Sequence, residues 1–221
     1  MCGRYSIVAS VEEIEFAFDA QFTFEFKPLY NIAPTLKLPV ITNSAPGKIQ
    51  ALEWSYVAPW NKKLPIINAT CEKVLTSNTF SKSLKERRCI VIATSVFEWR
   101  QDVKPKQPYL IYAEDQPIFG MAGLWKSVVN EETGEETNQF TIITTTPNEV
   151  MKRVGHHRMP VILEKSKYEV WLKEPDAKKV CELLNEYPAE RMNAYPVTTS
   201  MNKANFNTKD ALEPIGEKVM V

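Results

Sequence analysis

The chain has 221 residues, which suits one large domain or two small ones, and its 44% hydrophobic content is ordinary for a globular protein. Lys plus Arg and Asp plus Glu both number 27, so the zero formal charge argues against a generic duplex-binding protein. No apolar run reaches membrane-spanning length and no signal core follows the N-terminus, so we expect a cytoplasmic protein without a membrane partner. The four cysteines are widely spaced, and we therefore expect no disulfide framework, metal site or cofactor.

The first four residues, Met1-Cys2-Gly3-Arg4, contain a reactive pattern. Removal of Met1 would leave Cys2 with a free α-amine (pKa ~8) and a thiol (pKa ~8.5) on adjacent carbons, and both are partly reactive at neutral pH. Such an aminothiol condenses with an aldehyde to an imine, and its thiol then closes a five-membered thiazolidine ring. Taken alone, this stretch favours the alternative that a cysteine at position 2 has no role.

The chain then predicts a strand and a capped helix. Residues 4–8 alternate between polar and apolar side chains, which indicates a strand. Ser10 and Glu13 form a capping box, so a helix begins there and runs to about residue 18 or 20.

Two further strands are predicted at 38–42 and 49–54. Before them, Pro34 keeps the preceding residue out of helical geometry. Asn31 and Pro34 therefore either shape the floor of a pocket or belong to an ordinary loop, and this segment alone favours the loop.

An aromatic segment and an amide follow. We assign Trp54 to the core, whereas Trp60 either packs or offers a flat face to a base, and stacking is worth ~1–3 kcal/mol per base. Asn68 ends an apolar strand, where its amide either orients a reactive group or satisfies a local turn.

The most basic stretch of the chain begins in a short helix predicted at 79–85, which carries Lys82 and Lys85. Arg87 and Arg88 follow that helix. This stretch is either a solvated face or part of a phosphate-binding groove.

Glu98 interrupts an aromatic strand at 96–100. Strand alternation puts Phe97 and Trp99 on one face and Glu98 on the other. A carboxylate in such surroundings is paired, solvated or functional. The alternative is an outward-facing Glu98 that shares its face with Arg100.

The second half of the chain predicts more strands than helices. A short helix is predicted to be capped by Thr146 and stopped by Gly155. The strands are predicted at 108–113, 118–125, 140–145, 161–163, 194–197 and 218–221, and the remaining helices at 166–172 and 176–187. The absence of strand–helix alternation predicts a single α+β domain over 1–221, with a mostly antiparallel, barrel-like sheet and peripheral helices.

Both histidines of the chain, His156 and His157, stand at a helix-to-strand junction beside Arg158. This arrangement concentrates proton-transfer capacity in one loop and indicates a site. Arg153 and Arg158 are candidates for phosphate binding.

Several blocks together resemble the SOS response-associated peptidase (SRAP) family over essentially the whole chain. They are Cys2-Gly3-Arg4-Tyr5, residues 30–35, Asn68-Ala69 with Glu72, Arg87-Arg88-Cys89, Phe97-Glu98-Trp99 and His156-His157-Arg158-Met159-Pro160. The resemblance implies an abasic-site sensor of the DNA damage and SOS responses, in which the N-terminal cysteine forms a covalent thiazolidine crosslink to single-stranded DNA.

The resemblance also implies roles for individual residues. Cys2 would be the nucleophile after Met1 is removed, and Asn68, Glu98 and His156 would be the other catalytic residues. DNA contacts would come from Arg4, Pro34, Trp60, Arg153 and Arg158.

The chain departs from the family pattern at four positions. Thr70 and Asn78 replace expected arginines, Asn61 replaces a second tryptophan, and Ser55 replaces the glycine expected after Trp54. The loss of two cations and one stacking ring should weaken phosphate and base contacts without touching the reactive residues.

Other functions stay open at this point. An imine left unclosed would permit β-elimination, which is AP-lyase activity. The same residues would also suit a self-processing cysteine peptidase that removes its own N-terminal residue, or a non-covalent single-stranded DNA-binding module. We expect a monomer that is nucleoid-associated when bound to DNA, with replication-associated proteins as candidate partners.

Overall fold

In the computed structural model, which describes residues 2–58, 61–129 and 133–220, sixteen strands and six α-helices follow one another along the chain. The strands of the first half are β1 (Tyr5–Ile7), β2 (Gln21–Phe22), β3 (Leu29–Ile32), β4 (Lys37–Thr42), β5 (Lys48–Glu53), β6 (Tyr56–Ala58), β7 (Asn61–Ile66), β8 (Asn68–Thr70), β9 (Arg88–Ala93) and β10 (Ser95–Arg100). Those of the second half are β11 (Gln107–Ala113), β12 (Phe119–Val129), β13 (Glu136–Thr145), β14 (Met159–Pro160), β15 (Ile162–Leu163) and β16 (Met192–Pro196).

The helices are short and lie between the strands. They are α1 (Val11–Phe18), α2 (Cys71–Val74), α3 (Ser81–Glu86), α4 (Glu149–Arg153), α5 (Tyr168–Lys173) and α6 (Ala177–Cys181). Four 3₁₀ turns span Lys165–Lys167, Ala189–Arg191, Thr199–Asn202 and Lys209–Leu212. None of the helices in the described ranges has the length and apolar character needed to cross a membrane.

Five strands close into a barrel. β9 pairs with β12 and β4, β4 pairs with β5, and β12 pairs with β13, all antiparallel. A parallel contact between Gln139 of β13 and Glu53 of β5 closes the ring. The α+β fold with a mostly antiparallel, barrel-like sheet is therefore confirmed.

A second antiparallel sheet lies beside the barrel, in the order β16-β11-β10-β1-β3. Tyr5 of β1 pairs with Val96 of β10, which brings the N-terminus next to the aromatic strand. This pairing positions the residues around Cys2 and Glu98 in one region of the fold.

The core fills the barrel and the space beneath α5. All six residues of β9 are buried, because Trp171 of α5 covers the strand and donates its indole hydrogen to the Cys89 carbonyl at 2.8 Å. Gly123 of β12 allows β9 and β13 to approach closely, since a Cβ there would lie 2.9 Å from the Cys89 sulfur and 3.0 Å from the Thr141 carbonyl.

Arg88 corrects one prediction from the sequence. It is neither solvated nor available to phosphate, because its side chain is buried and donates to main-chain carbonyls. The distances are 2.5 Å to Trp171, 2.7 Å to Leu84 and 2.6 Å to Glu174. A buried guanidinium needs such acceptors, and here it ties α3 to the end of α5.

Three smaller predictions about elements also differ from the structure. The cap of α4 is Asn148, whose side chain accepts from the Met151 amide at 3.1 Å, and not Thr146, which instead bonds to Glu186. The helix predicted over 176–187 ends at Cys181. Residues 218–220 form no strand, although the Val219 amide donates to the Ala194 carbonyl at 2.7 Å.

Candidate active site

Cys2 is buried and its main chain is held by Asn68. The Asn68 side-chain nitrogen donates to the Cys2 carbonyl at 2.8 Å. Parallel pairing of β8 with β13, in which Asn68 lies opposite Ile142, fixes the asparagine beside the N-terminus. Its side-chain oxygen is buried and accepts no hydrogen bond from the residues that the structure describes, so it remains an acceptor for another donor.

The Cys2 thiol lies in surroundings that disfavour its ionisation. Burial raises the pKa of the Cys2 thiol well above its ordinary value, and the negative charge of Glu98 adds to this effect. The thiol is therefore protonated at neutral pH in this structure, unlike the activated cysteines of thiolate enzymes.

Glu98 and His156 form a buried pair. His156 Nε2 lies 2.9 Å from Glu98 Oε2, and both side chains are less than a tenth exposed. On the other side of the ring, Nδ1 lies 2.9 Å from the Arg158 carbonyl oxygen, which can only accept. Nδ1 therefore carries a hydrogen. Nε2 therefore faces the Glu98 carboxyl group at a distance that allows direct proton transfer.

The turn after α4 places His156 in this position. Gly155 adopts a φ of +82°, which glycine tolerates and which ends the helix as the sequence predicts. The His156 amide then donates to the Met151 carbonyl at 2.9 Å. The imidazole consequently turns inward to Glu98, while His157 stacks on its ring at a centroid distance of 5.2 Å.

Arg4 is fixed by neutral partners. Its guanidinium donates to the Asn31 side-chain oxygen at 2.8 Å and to the Met201 carbonyl at 3.3 Å, and lies 5.6 Å from the centre of the Trp99 ring. Asn31 in turn donates to the Phe206 carbonyl at 2.9 Å. Asn31 thus supports the arginine, and the ordinary loop favoured for it from the sequence is wrong, because Asn31 lies in β3.

An open cavity of about 640 Å³ joins these groups. Its lining consists of Gly3, Arg4, Glu98, Trp99, Gln101, Lys106, His156 and Asn202. The cavity holds cations, a carboxylate–imidazole pair and the residue next to Cys2, a combination suited to proton transfer on an anionic substrate.

Arg158 forms an ion pair within the protein, and the phosphate contact predicted for it stays a prediction. Its guanidinium binds both oxygens of Glu72, at 2.7 and 3.0 Å, and the Thr144 carbonyl at 2.6 Å. The hydrogen bonds from Arg158 lower the pKa of Glu72 to about 2. Because the Arg158 carbonyl also accepts from His156, this ion pair helps to fix the imidazole.

The remaining predicted site residues do not line the cavity in the described structure. Arg153 lies on the exposed α4 and pairs with Glu149 at 3.2 Å. Pro34 is half-buried in a turn before β4, and Thr70 precedes α2 without a side-chain cap. The prediction for Trp60 lies outside the described residues, as does Met1.

Sequence reasoning missed four contributors to the site. Asn202, Gln101 and Lys106 line the cavity, and Glu72 holds Arg158. Nothing in the sequence singles out the first three, because they stand in polar loops and come together only through the pairing of β10, β11 and β16. Within the described residues, no three His, Cys, Asp or Glu side chains are grouped so that they could hold a metal ion.

Comparisons with known proteins identify the family. A sequence model described as SOS response associated peptidase (SRAP) matches residues 1–204. The abasic site processing protein YoqW of Bacillus subtilis is 35% identical, with 96% of this chain and 99% of that protein covered. The abasic site processing protein YedK of Escherichia coli is 27% identical, with 97% and 100% covered.

A solved structure shares the fold. The crystal structure of a protein from Bacteroides thetaiotaomicron superimposes with a TM-score of 0.87 at 28% identity, covering 96% of this chain and 99% of that one. With the family model matching nearly the whole sequence, the chain belongs to the SOS response-associated peptidase family.

Proposed function

We propose that this protein captures abasic sites in single-stranded DNA, through a covalent thiazolidine formed by Cys2 once Met1 has been removed. Membership of the family and the names of its relatives support abasic-site processing. The observation that carries the covalent step is the position of Cys2, whose carbonyl is held by Asn68 and whose thiol lies within the field of Glu98.

The reaction that we propose begins with the sugar. An abasic deoxyribose is mostly a closed hemiacetal, so a proton must move before its aldehyde is exposed. His156 is the proposed general acid and base for ring opening, since it lines the cavity and its Nε2 lies 2.9 Å from Glu98 Oε2. The Cys2 amine then attacks the aldehyde carbon, and the carbonyl oxygen leaves as water to give an imine.

The thiol reacts second. Because the pKa of the thiol is raised, it adds as S–H across the C=N bond, with sulfur bonding to carbon and the proton passing through Glu98 to the imine nitrogen. The net change is aldehyde plus aminothiol to thiazolidine plus water. The unpaired Asn68 oxygen is suitably placed on the same side chain to accept from the Cys2 amine and hold it for the first step.

Binding of the DNA would rest on cations and flat surfaces. Arg4 lines the cavity with neutral partners only, which supports a contact to phosphate. Arg153, Arg158, Pro34 and Trp60 remain proposed DNA contacts outside the cavity lining. We further propose that the protein acts as a monomer and is associated with the nucleoid when bound.

A denaturing gel tests the proposal. Protein whose loss of Met1 is checked by intact mass is mixed with a single-stranded oligonucleotide that carries one abasic site. We expect a heat-stable band of protein plus DNA for the wild type and for Cys71→Ala, which removes a different cysteine, but none for Cys2→Ala.

Other outcomes would identify the alternatives. If no heat-stable band forms with a confirmed free Cys2, covalent capture is wrong for this protein. Shortened DNA without a band would indicate AP-lyase activity. Loss of Met1 from the purified chain that slows in Cys2→Ser, without any dependence on DNA, would indicate self-processing.

A further inference from the structure

The loop 101–106, which connects β10 to β11, brings a second cation to the rim of the cavity. Lys106 is exposed and lines the cavity together with Arg4, Glu98 and His156. We propose that Lys106 is a phosphate-binding residue that acts with Arg4 on the two phosphodiesters flanking the abasic sugar. This inference rests on the proposed function and names residues that bind the substrate.

A chain of contacts fixes Lys106 relative to Arg4. The Trp99 indole nitrogen donates to the Asn202 side-chain oxygen at 2.5 Å, and the Asn202 amide donates to the Lys106 carbonyl at 3.4 Å. Arg4 lies over the same indole ring. The main chain of Lys106 and the guanidinium of Arg4 are therefore both linked to one tryptophan, and the lysine side chain is exposed at the cavity.

The surrounding charges leave both cations available to an anion. Asp102, the acid within the loop, is bound by Arg100 through two hydrogen bonds of 2.7 and 2.9 Å. The carboxylate of Glu98 is paired with His156. Among the described residues, no carboxylate lies within ion-pair distance of Arg4 or Lys106.

The chemistry of the two side chains suits a sugar–phosphate backbone. The guanidinium is held in one orientation and presents a directed fork, whereas the lysine ammonium is a point charge on a flexible stem. A pair of this kind tolerates the variable path of a single strand while keeping one phosphate fixed. Glu98 and His156 then face the sugar between the phosphates.

Salt-dependent binding tests this proposal without the covalent step. We use Cys2→Ala protein and a fluorescein-labelled single strand that contains one tetrahydrofuran abasic analogue, which has no aldehyde. Fluorescence anisotropy gives Kd between 50 and 200 mM salt for the parent, for added Lys106→Gln or Lys106→Arg, and for added Lys104→Gln. Lys104 lies in the same loop but does not line the cavity.

Loss of one phosphate contact should lower the slope of log K against log salt by about 0.7. We expect that decrease and a severalfold higher Kd at 50 mM salt for Lys106→Gln, the parent slope for Lys106→Arg, and no change for Lys104→Gln. Equal slopes for Lys106→Gln and Lys104→Gln, or no binding by the parent, would overturn the proposal. The gel with reactive DNA decides covalent capture separately, so the two failures are distinguishable.

Discussion

His156 Nε2 lies 2.9 Å from Glu98 Oε2, in a place where both side chains are almost fully buried. The Arg158 carbonyl fixes the imidazole tautomer from the other side. A proton in such a contact moves between a base and an acid without a large rearrangement of solvent, which is the property that ring opening and imine formation both require.

Glu98→Gln separates ionisation of the thiol from its reactivity. The variant removes the negative charge that helps to raise the pKa of the Cys2 thiol, so that pKa should fall relative to the wild type. Crosslinking should nevertheless slow by about 10²–10⁴-fold, because an amide cannot relay the proton. Thiolate absorbance against pH and the gel rate measure the two effects.

The control is Cys2→Ser in both backgrounds, which isolates the absorbance of Cys2 from that of the other cysteines. A variant whose thiol ionises more readily and which also crosslinks faster would contradict the proton relay. That result would mean that Glu98 acts only by disfavouring ionisation of the Cys2 thiol.

His156→Ala should destabilise the fold more than Glu98→Gln does. The alanine removes the imidazole from its 2.9 Å contact with the buried Glu98 carboxyl group, and breaking a buried pair costs about 3–5 kcal/mol. Glutamine keeps a neutral hydrogen bond to the ring. Urea unfolding of both single variants and of the double variant gives the coupling energy.

Strong coupling in that cycle is the expected result, with the double variant losing less stability than the sum of the single losses. Additive losses would show that the two side chains do not stabilise each other, and would contradict a stabilising contact between His156 and Glu98.

The ion pair between Glu72 and Arg158 predicts a pH dependence of stability. Because the folded pKa of Glu72, about 2, is depressed below its ordinary 4.5, the contribution of the pair is present above pH 4.5. It is lost as the pH falls from 4.5 towards 2. The Glu72 side chain is half exposed, so we expect no more than about 1 kcal/mol after screening.

Urea unfolding of wild type and Glu72→Gln at pH 6, 4 and 3 measures this effect. The difference between the two proteins should shrink as the pH falls. A difference that stays constant over this range would mean that Glu72 contributes through packing rather than charge. Glu149→Gln, which removes an exposed partner of Arg153, is the matched control.

Arg88→Lys should lower stability without a direct effect on DNA. Lysine cannot reach all the carbonyls that the guanidinium binds, and each buried unsatisfied acceptor costs about 1–3 kcal/mol. Thermal unfolding measures the loss, with the exposed Lys82→Ala as control. A drop in DNA affinity at an unchanged melting temperature would contradict this expectation. It would support the phosphate-binding role that the sequence left open for Arg88.

Local patterns predicted much of this molecule. The capping box of Ser10 and Glu13 and the helix stop at Gly155 are both present, since each depends on backbone geometry within a few residues. Strand alternation also predicted that Glu98 and Phe97 point to opposite faces of β10. The outward-facing alternative for Glu98 is wrong because that face of β10 looks onto His156, a contact across 58 residues that no local pattern encodes.

Arg88 and Lys106 show that local sequence does not predict whether a cation is buried or exposed. In sequence both are cations in polar surroundings, yet one is buried against carbonyls and the other stays exposed at the cavity. Their fates depend on which strand and helix pack nearby, and that information lies in tertiary structure. The resemblance predicted roles for Cys2, Asn68 and His156, and these roles stay predictions, whereas the contacts of the three residues are visible only in the folded structure.

The contacts around Arg4 join parts of the chain that lie far apart in sequence. Arg4 donates to the Asn31 side chain and to the Met201 carbonyl, and the Trp99 indole beneath it donates to Asn202. This side of the cavity is therefore complete only after the segment around residue 200 has folded against the first strand. Local opening of that late segment would release Arg4 from the Met201 carbonyl and Trp99 from Asn202 together.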